Sequence, residues 1–395
     1  MGVATVSSSP TSPSGGHLKR PGEVELLLRK GALVRRRLVI LVGHGVLLAV
    51  AAASAAAILF VFYSIARDAV PFFRVRGFAE FFTGTRWYPS AHPPAFGAVP
   101  LFVGSALVTL GASLVALPLG VAVAVCLSDV IPFAVRQWAK PMLEILAAIP
   151  SVAYGFFALV VLAPLLQERG GPMLALAAWL VGAPLAALGV YVAGSSLVMR
   201  LPARWRPWVR PLVFALLAVG AVLGLAYISG RLKMVIVSSG TNALNVSIIL
   251  GIMALPTVAS VSEDALRATG REIREASYAL GATRAETMVR AVIPAAASGI
   301  CAAVMLGIMR VLGETMVVWM ASGNAAQIPS PWYNLLAPVR TVTATIAGDM
   351  GEADHMTGSE RYHVLFALAL LLLTIAFVLN LLSEWALRRA RRGGH

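Results

Sequence analysis

This sequence has few charged side chains and only two cysteines. Only 13% of the 395 residues are Asp, Glu, Lys or Arg, whereas 58% are hydrophobic and the mean hydropathy is +0.81. Ordinary water-soluble domains carry roughly 25% charged residues, so that class of protein is excluded. The long apolar runs predict an integral membrane protein instead, because about 20 apolar helical residues cross a bilayer core about 30 Å thick.

Groups that build metal, redox and nucleotide sites are also few. The two cysteines, Cys126 and Cys301, each lie inside an apolar run, where a free cysteine is ordinarily a small core residue. The six histidines are scattered, and neither H-E-x-x-H nor C-x-x-C occurs, so no metal site is predicted. No G-x-x-x-x-G-K-[ST] loop is present, so we do not expect this chain to hydrolyse ATP.

The apolar runs predict an all-α, polytopic transmembrane bundle of about eight spans. The first run begins too late and is too long for a cleaved signal peptide. The predicted spans are residues 38–66, 101–127, 141–166, 173–199, 212–229, 244–261, 295–320 and 364–382. Pro172, Pro184 and a basic loop interrupt the fourth and fifth runs. We therefore interpret 172–230 as a helical hairpin inserted into a six-span core.

Lysine and arginine predict the orientation, because they accumulate in cytoplasmic loops. Of the 32 such residues, 22 lie in the termini and in the loops on the same side, nine lie in the opposite loops, and Arg310 lies inside a span. Both termini are therefore expected in the cytoplasm. The net charge of +14 follows from this topology and from attraction to anionic lipid, so no nucleic-acid partner is needed.

The same runs divide the chain into parts. The predicted parts are a cytoplasmic tail (1–37), the first span with an outer loop (38–100) and a transmembrane domain (101–390). The last stretch of the tail, 22–37, is either a basic amphipathic helix on the membrane surface or a loosely helical flank. The outer loops, 67–100 and 321–361, carry aromatic residues expected to anchor at the membrane interface: Trp87, Tyr88, Trp332 and Tyr333.

The polar stretch 263–293 predicts a docking surface for another protein. Small side chains at Ala276, Ser277 and Ala282 let a partner backbone approach closely, and Gly281 permits a sharp turn between two short helices. A helical hairpin of this kind suits a groove on a partner. The alternative interpretation is a charged loop without a partner.

Arg310 and Glu314 are charges inside an apolar run. A charge at the centre of a span costs about 2.5–3.5 kcal/mol on insertion scales, so we expect both to face protein or water. Their i, i+4 spacing predicts one helix face and a mutual ion pair, which is either purely structural or part of an anion pathway. In a pathway, Arg310 offers its planar donors to an oxyanion, Glu314 holds the arginine between passages, and Thr315 adds a hydroxyl.

Several motifs carry a resemblance to a known family. E-A-S-x3-G, then nine residues, then A-V-I-P, resembles the coupling loop E-A-A-x3-G-x9-I-x-L-P of ABC-type import permeases; Glu275, Ala276, Gly281 and Pro294 match, and Ser277 replaces an alanine. The other motifs are LEILAAIPSVAYG (143–155), GIMALPTVASVSEDAL (251–266) and RVLGETMVVWMASGN (310–324). Together they are similar to phosphate-specific permeases of the PstC/PstA type, and closer to PstC.

The resemblance implies a permease subunit of an ATP-driven phosphate importer in the bacterial inner membrane. The implied ATPase-coupling residues are Glu275, Ala276, Ser277, Gly281, Ala282 and Pro294, and the implied substrate-pathway residues are Arg310, Glu314 and Thr315. The implied partners are a dimer of ATPase subunits that bind ATP and Mg²⁺, a second similar permease and an extracytoplasmic phosphate-binding protein. No cofactor is implied in this chain.

Other functions stay open at this point. A permease for another oxyanion, sulfate or molybdate, would share the coupling loop. A secondary transporter would use an ion gradient, but intramembrane carboxylates for proton or sodium coupling are scarce. A membrane-embedded enzyme would need a constellation of nucleophile, base or metal ligands, and none occurs at suggestive spacing.

Overall fold

The computed structural model describes residues 30–199, 206–352 and 359–392, so the predicted tail up to residue 29 lies outside the described residues. The chain forms two compact units, Met1–Tyr63 and Ser64–His395. Helix α1, Lys30–Thr83, supplies the described part of the first unit and continues into the second. Every side chain from 38 to 61 is exposed, and apart from His44 and Ser54 these are apolar or glycine. A helix that is apolar on all sides suits lipid.

Helices make up nearly all of the second unit, which confirms the predicted all-α class. After α1 they are α2 (Val99–Val125), α3 (Phe133–Ala148), α4 (Ser151–Phe157), α5 (Ala163–Met199), α6 (Arg206–Lys233), α7 (Ala243–Ala268), α8 (Gly270–Ala279), α9 (Arg284–Thr287), α10 (Ile293–Leu312), α11 (Met316–Ala321), α12 (Val342–Met350) and α13 (Glu360–Arg392). Single π-helical turns are Cys126–Val130, Ala158–Leu162 and Met288–Val292. Two short antiparallel strands, β1 (Trp87–Tyr88) and β2 (Ala95–Phe96), precede α2.

Seven helices within the described ranges are long and apolar enough to cross a membrane, whereas the sequence predicts eight spans. The difference arises in Ser151–Met199, a run of 49 residues that contains parts of two predicted spans. At about 1.5 Å per residue this run is more than twice as long as a bilayer core about 30 Å thick. Its backbone leaves the helical region at Arg169 (φ −126°, ψ 18°), where the two predicted spans are joined.

The predicted span 141–166 is wrong in its first half, because the helix is interrupted. Helix α3 ends at Ala148, and the next two residues are extended: Ile149 at φ −62°, ψ 128° and Pro150 at φ −58°, ψ 139°. The proline ring clashes with a preceding residue in helical conformation, which forces Ile149 out of the helix. Helix α4 then starts at Ser151, so the apolar run is divided between a short helix and a long one.

The hairpin predicted at 172–230 corresponds to two antiparallel helices. A β-carbon added at Gly182 of α5 would lie 2.5 Å from Leu225 of α6, and one at Gly194 would lie 2.9 Å from the ring of Phe214. The partner residue moves back along α6 as the glycine moves forward along α5. Glycines on α5 thus let α6 approach closely, as small residues do between membrane helices.

The centre of the second unit is the parallel contact between α2 and α7, its most extensive helix pair. A β-carbon at Gly111 would lie 2.4 Å from the Ser247 hydroxyl oxygen, and one at Gly251 would lie 2.7 Å from Val115 Cβ. These separations are shorter than van der Waals contact, so only glycine permits this backbone approach. Because lipid does not drive two helices together, close packing of this kind must stabilise the pair.

Two side chains differ from expectation in their exposure. Trp87 is buried beside Phe96 and Phe81 in an aromatic cluster rather than standing at a membrane interface, whereas Tyr88, Trp332 and Tyr333 are exposed. The β1–β2 turn folds Trp87 inward, and this pairing could not be anticipated from composition. Cys301 is exposed, so its assignment as a core residue was wrong; Cys126 is half-buried.

The packing predicts that Gly111→Leu destabilises the protein. The added side chain must displace Ser247 on α7, and overpacking of this kind costs about 1–3 kcal/mol. The measurement is the thermal unfolding midpoint of the detergent-purified protein. Gly220→Leu is the matched control, because a β-carbon at Gly220 meets nothing within 4 Å. Equal midpoints for both variants would contradict the packing argument.

Candidate functional site

Helix α8 is a surface helix at the end of the bundle opposite β1 and β2. None of the residues of α8, Gly270–Ala279, is buried, and Glu275 and Ala276 are exposed as the docking prediction requires. Leu280, directly after the helix, is 89% exposed. Ile273 and Tyr278 of α8 are exposed as well, and several large apolar side chains exposed within one short segment favour a protein-interaction surface.

The turn after α8 has the conformation that was predicted for its glycine. Gly281 has φ +82°, in the left-handed region, and its N–H donates to the Tyr278 carbonyl at 2.9 Å. The next helix is closed by a reciprocal cap, because Glu286 N donates to the Thr283 hydroxyl and Thr283 N donates to the Glu286 carboxylate at 3.0 Å. The T-x-x-E signature of this cap was overlooked in the sequence.

The remaining predicted coupling residues lie around this turn. Ser277 faces inward, where its hydroxyl is 2.9 Å from that of buried Thr287, while Ala282 is half-buried. Pro294 is exposed near the start of α10, directly after the π-helical turn Met288–Val292. The structure therefore gathers Glu275, Ala276, Ser277, Gly281 and Ala282 on one helical hairpin and places Pro294 at the start of the following span.

The expected face shared by Arg310 and Glu314 is not formed. Helix α10 ends at Leu312 with Gly313 as its C-cap, so Glu314 lies beyond the helix, and the i, i+4 relation no longer applies. Among the described residues, no carboxylate lies within ion-pair distance of Arg310, whose side chain is exposed. The predicted mutual ion pair is wrong, and the guanidinium is left available for another anion.

Glu314 and Thr315 instead form the turn between α10 and α11. A Glu314 carboxylate oxygen accepts from Val317 N at 3.4 Å, which places negative charge at the start of α11. The Glu314 carbonyl accepts from the Thr343 hydroxyl at 2.8 Å, and the Thr315 hydroxyl points to the Gly313 carbonyl at 3.5 Å. Thr343 of α12 thus holds the turn that follows Arg310, and no pattern in the sequence indicates this role.

A second interrupted helix lies close to this turn. A β-carbon at Gly155 of α4 would lie 2.9 Å from the Met320 sulfur and 3.2 Å from Val317 Cα, so α4 packs directly on α11. Tyr154 lies close enough to Arg310 for an electrostatic interaction, and its hydroxyl donates to the Leu146 carbonyl at 2.9 Å. Helix α4 follows the break at Ile149–Pro150, and α11 follows the break after Gly313. The two breaks therefore lie next to helices that pack on each other close to Arg310. Interrupted helices inside apolar runs are typical of transporter substrate sites.

A crevice of about 240 Å³ separates α3 from α7. Glu144 lines it together with Lys140 and the fully buried Glu263. The Lys140 ammonium lies 3.2 Å from both Glu263 and Asp264 carboxylates, and Arg267 lies 2.7 Å from Glu263. Burial lowers the pKa of Lys140, but its contacts with Asp264 and Glu263 outweigh burial and raise that pKa above its ordinary value.

Two further ion pairs were missed because their partners are not patterned in the sequence. Arg274 pairs with Asp129, 145 residues away, and Arg340 pairs with Asp349 at 2.6 Å in the segment before and within α12. No group of three or more His, Cys, Asp and Glu residues that could hold a metal ion occurs in the described parts of the chain.

Comparisons with known proteins bear on this arrangement. Residues 116–392 match the family described as binding-protein-dependent transport system inner membrane component. The phosphate transport system permease protein PstC of Mesorhizobium japonicum is 31% identical over 318 residues, covering 80% of each chain. The probable ABC transporter permease protein YqgH of Bacillus subtilis is 29% identical over 314 residues, covering 79% of this chain and 78% of YqgH. PstC 1 of Mycobacterium tuberculosis is 27% identical over 329 residues, covering 79% and 82%.

The reciprocal cap predicts that Thr283→Ala loosens the turn after Gly281. Loss of an N-cap hydroxyl costs about 0.5–2 kcal/mol, so hydrogen exchange at the amides of 284–287 should accelerate about three- to thirtyfold. Exchange measured by mass spectrometry checks this. Thr374→Ala is the control, since that hydroxyl bonds its own helix backbone at Leu370; unchanged exchange in Thr283→Ala would contradict the cap.

Proposed function

Because this chain belongs to the family of inner membrane components of binding-protein-dependent transport systems, we propose that it is a permease subunit that imports inorganic phosphate at the expense of ATP. The chain itself is a non-enzymatic, multi-pass inner membrane subunit. Phosphate is the proposed cargo because relatives at 27–31% identity are named phosphate transport system permeases. The carrying observation in this chain is Arg310, an exposed guanidinium that meets no carboxylate among the described residues and lies beside two interrupted helices.

Passage of a phosphate ion needs a compensating charge. An oxyanion is expelled from a low-dielectric path unless donors meet it, and arginine offers a planar set of donors matched to phosphate oxygens. Arg310 is placed to do this because Glu314 is turned away to the start of α11. Glu314 and Thr315 then act by shaping the turn that ends α10, which keeps Arg310 in the last turn of that helix.

Energy enters through a separate protein in this proposal. The exposed hairpin of α8, Gly281 and α9 docks on a dimer of ATPase subunits that bind ATP and Mg²⁺, with Glu275, Ala276 and Ser277 on its first helix. Leu280 supplies an apolar anchor at its tip. A second, similar permease completes the membrane part, and an extracytoplasmic binding protein delivers phosphate to the opposite face. Membrane lipid surrounds the exposed apolar helices.

The proposed docking of the hairpin on an ATPase also fixes the orientation of the chain in the membrane. The hairpin lies on the cytoplasmic side, where the ATPase is, and both termini lie there with it, in agreement with the distribution of Lys and Arg. The inserted pair α5 and α6 crosses the membrane beside the core. Sulfate and molybdate are the competing cargoes, and a gradient-driven transporter is the competing mechanism.

The cargo and the mechanism are tested together in proteoliposomes that hold the chain with its co-purifying subunits. We expect uptake of radiolabelled phosphate only with binding protein outside and MgATP inside. Excess sulfate or molybdate should not compete. Phosphate uptake without nucleotide would contradict the ATP-driven mechanism, and competition by either other anion would contradict the cargo.

Arg310→Gln should reduce phosphate uptake. Hydrogen bonds from a charged donor contribute about 1.5–3 kcal/mol, so uptake should fall about ten- to hundredfold. The assay is initial uptake rate in the same vesicles. Arg231→Gln, an exposed arginine near the end of α6, is the control and should transport normally. Normal uptake by Arg310→Gln would remove this arginine from the pathway.

Gly281→Val should uncouple the ATPase. A left-handed backbone costs a side chain with a β-carbon about 1–2 kcal/mol, so valine would distort the turn that presents the docking hairpin. ATPase co-purification and phosphate uptake should both decline. Gly351→Val is the control, because Gly351 has φ −69° and open space around it. Full co-purification and uptake with Gly281→Val would count against docking at this hairpin.

A further inference from the structure

Helix α8 is attached to the rest of the chain through few side chains. None of its ten residues is buried, and its half-buried members include Arg274 and Ser277. Ser277 reaches Thr287, the last residue of α9, through a pair of neutral hydroxyls. Arg274 reaches a different part of the bundle through a charged contact. Besides the backbone, which joins α8 to α7 at Thr269 and to α9 through residues 280–283, these two side chains connect α8 to the rest of the bundle.

Every N–H group of the Arg274 guanidinium has a hydrogen-bond acceptor. Its Nε donates to Asp129 Oδ1 at 2.9 Å and its Nη2 donates to Asp129 Oδ2 at 3.2 Å, which is a bidentate pair. The remaining donors go to the Leu266 carbonyl at 3.0 Å, the Gly270 carbonyl at 2.8 Å and the Thr269 hydroxyl at 3.2 Å. All five guanidinium donors are thus used, and the side chain is only 16% exposed. Because every donor of the planar guanidinium is hydrogen-bonded, a displacement of α8 at Arg274 should also displace Asp129.

Asp129 lies at a corner of the fold. It belongs to the π-helical turn Cys126–Val130 that ends α2, and the chain then passes through extended Ile131 and Pro132 into α3. On the other side of the corner, Arg136 of α3 donates to the Leu127 and Ser128 carbonyls. The corner is therefore clamped between an arginine of α8 and an arginine of α3.

Helix α3 connects the corner to the helix break at Ile149–Pro150. Within Phe133–Ala148 no residue is buried, and the backbone is extended at both ends, at Pro132 and at Ile149. Its charged tie to α7 is Lys140 at Glu263 and Asp264, across the crevice. Beyond its far end comes α4, which packs on α11 near Arg310.

From these contacts we infer that the Asp129–Arg274 pair is the joint that carries movement of α8 into the α2–α3 corner, and through α3 to the helix break at Ile149–Pro150 beside the anion pathway. The inference rests on the proposed function, since it supposes that an ATPase moves α8. Asp129 and Arg274 are positioning residues here: they touch no substrate. The pair is needed to couple ATP hydrolysis to opening of the path, and it is not needed for ATP hydrolysis or phosphate binding alone.

Asp129→Asn tests the joint, because it removes the charge and keeps the size and an acceptor oxygen. In proteoliposomes with the co-purified ATPase, we expect ATP hydrolysis to continue while phosphate imported per ATP falls about tenfold, the scale of coupling between distant sites. Asp129→Glu, which keeps the charge, should recover part of that ratio. An unchanged ratio in Asp129→Asn would overturn the joint.

A second readout separates transmission from simple stabilisation. Adding a non-hydrolysable ATP analogue should change hydrogen exchange of the α3 amides in the unmodified complex and leave it unchanged in Asp129→Asn. Glu360→Gln is the matched control, since Arg76 also holds Glu360 through Nε and Nη2, at 2.9 and 2.6 Å, at the opposite end of the bundle; it should keep the wild-type ratio.

The remaining outcomes also decide the matter. A lowered unfolding midpoint with lost ATPase co-purification, and a normal ratio in whatever complex survives, would show a merely structural pair and overturn the inference. If the unmodified complex imports no phosphate with MgATP, the proposed function fails and the joint fails with it. The two failures are distinguished by the wild-type vesicles alone.

Discussion

Every backbone amide and carbonyl of the membrane-spanning helices needs a partner within the protein, because lipid offers none. That constraint explains why helices dominate and why the interruptions are as informative as the spans. After Gly313 the broken backbone is compensated by Val317 N on the Glu314 carboxylate and by Thr343 on the Glu314 carbonyl. At Pro150 the neighbouring carbonyl of Leu146 is met by the Tyr154 hydroxyl. Each break is therefore supported by side chains from the protein, as an interruption inside an apolar run requires.

Charged side chains that are removed from water also need partners within the protein. Lys140, Arg274 and Arg340 each meet a carboxylate, so the cost of removing them from water is offset by pairing. Arg310 differs, since the carboxylate nearest in sequence is committed to the start of α11. An unpaired arginine near two interrupted helices destabilises the protein if its surroundings are apolar. The same arginine can bind an anion that passes along this path. This contrast between paired and unpaired arginines supports a pathway role for Arg310.

The positions of the ion pairs and hydrogen bonds determine how a movement of α8 reaches the rest of the bundle. The central α2–α7 contact is close-packed through Gly111 and Gly251, and a tightly interlocked pair of this kind deforms little. Helices α3 and α8 surround it without burying any residue, and polar side chains tie them to it. A rigid centre with loosely packed peripheral helices lets a movement at one end of the bundle reach the other without unpacking the core.

Much of the site could be anticipated from local pattern. The glycine turn at Gly281 depends only on residues close in sequence, and its left-handed φ was predictable because other side chains resist that region. The cap at Thr283 and Glu286 had an equally local signature, although it was overlooked. The Arg310–Glu314 pairing was mispredicted because i, i+4 spacing carries no information about where a helix ends; Gly313 ends this one.

The amino-acid sequence by itself determined that the chain is a membrane protein made of helices, where its apolar runs lie and which hairpin is exposed, because hydrophobicity, charge and glycine act through a residue and its near neighbours. Only the tertiary structure decided that Asp129 meets Arg274, that Thr343 holds the Glu314 turn and that α4 lies against α11. Those contacts join residues far apart along the chain, and their geometry depends on how whole helices pack rather than on any local preference.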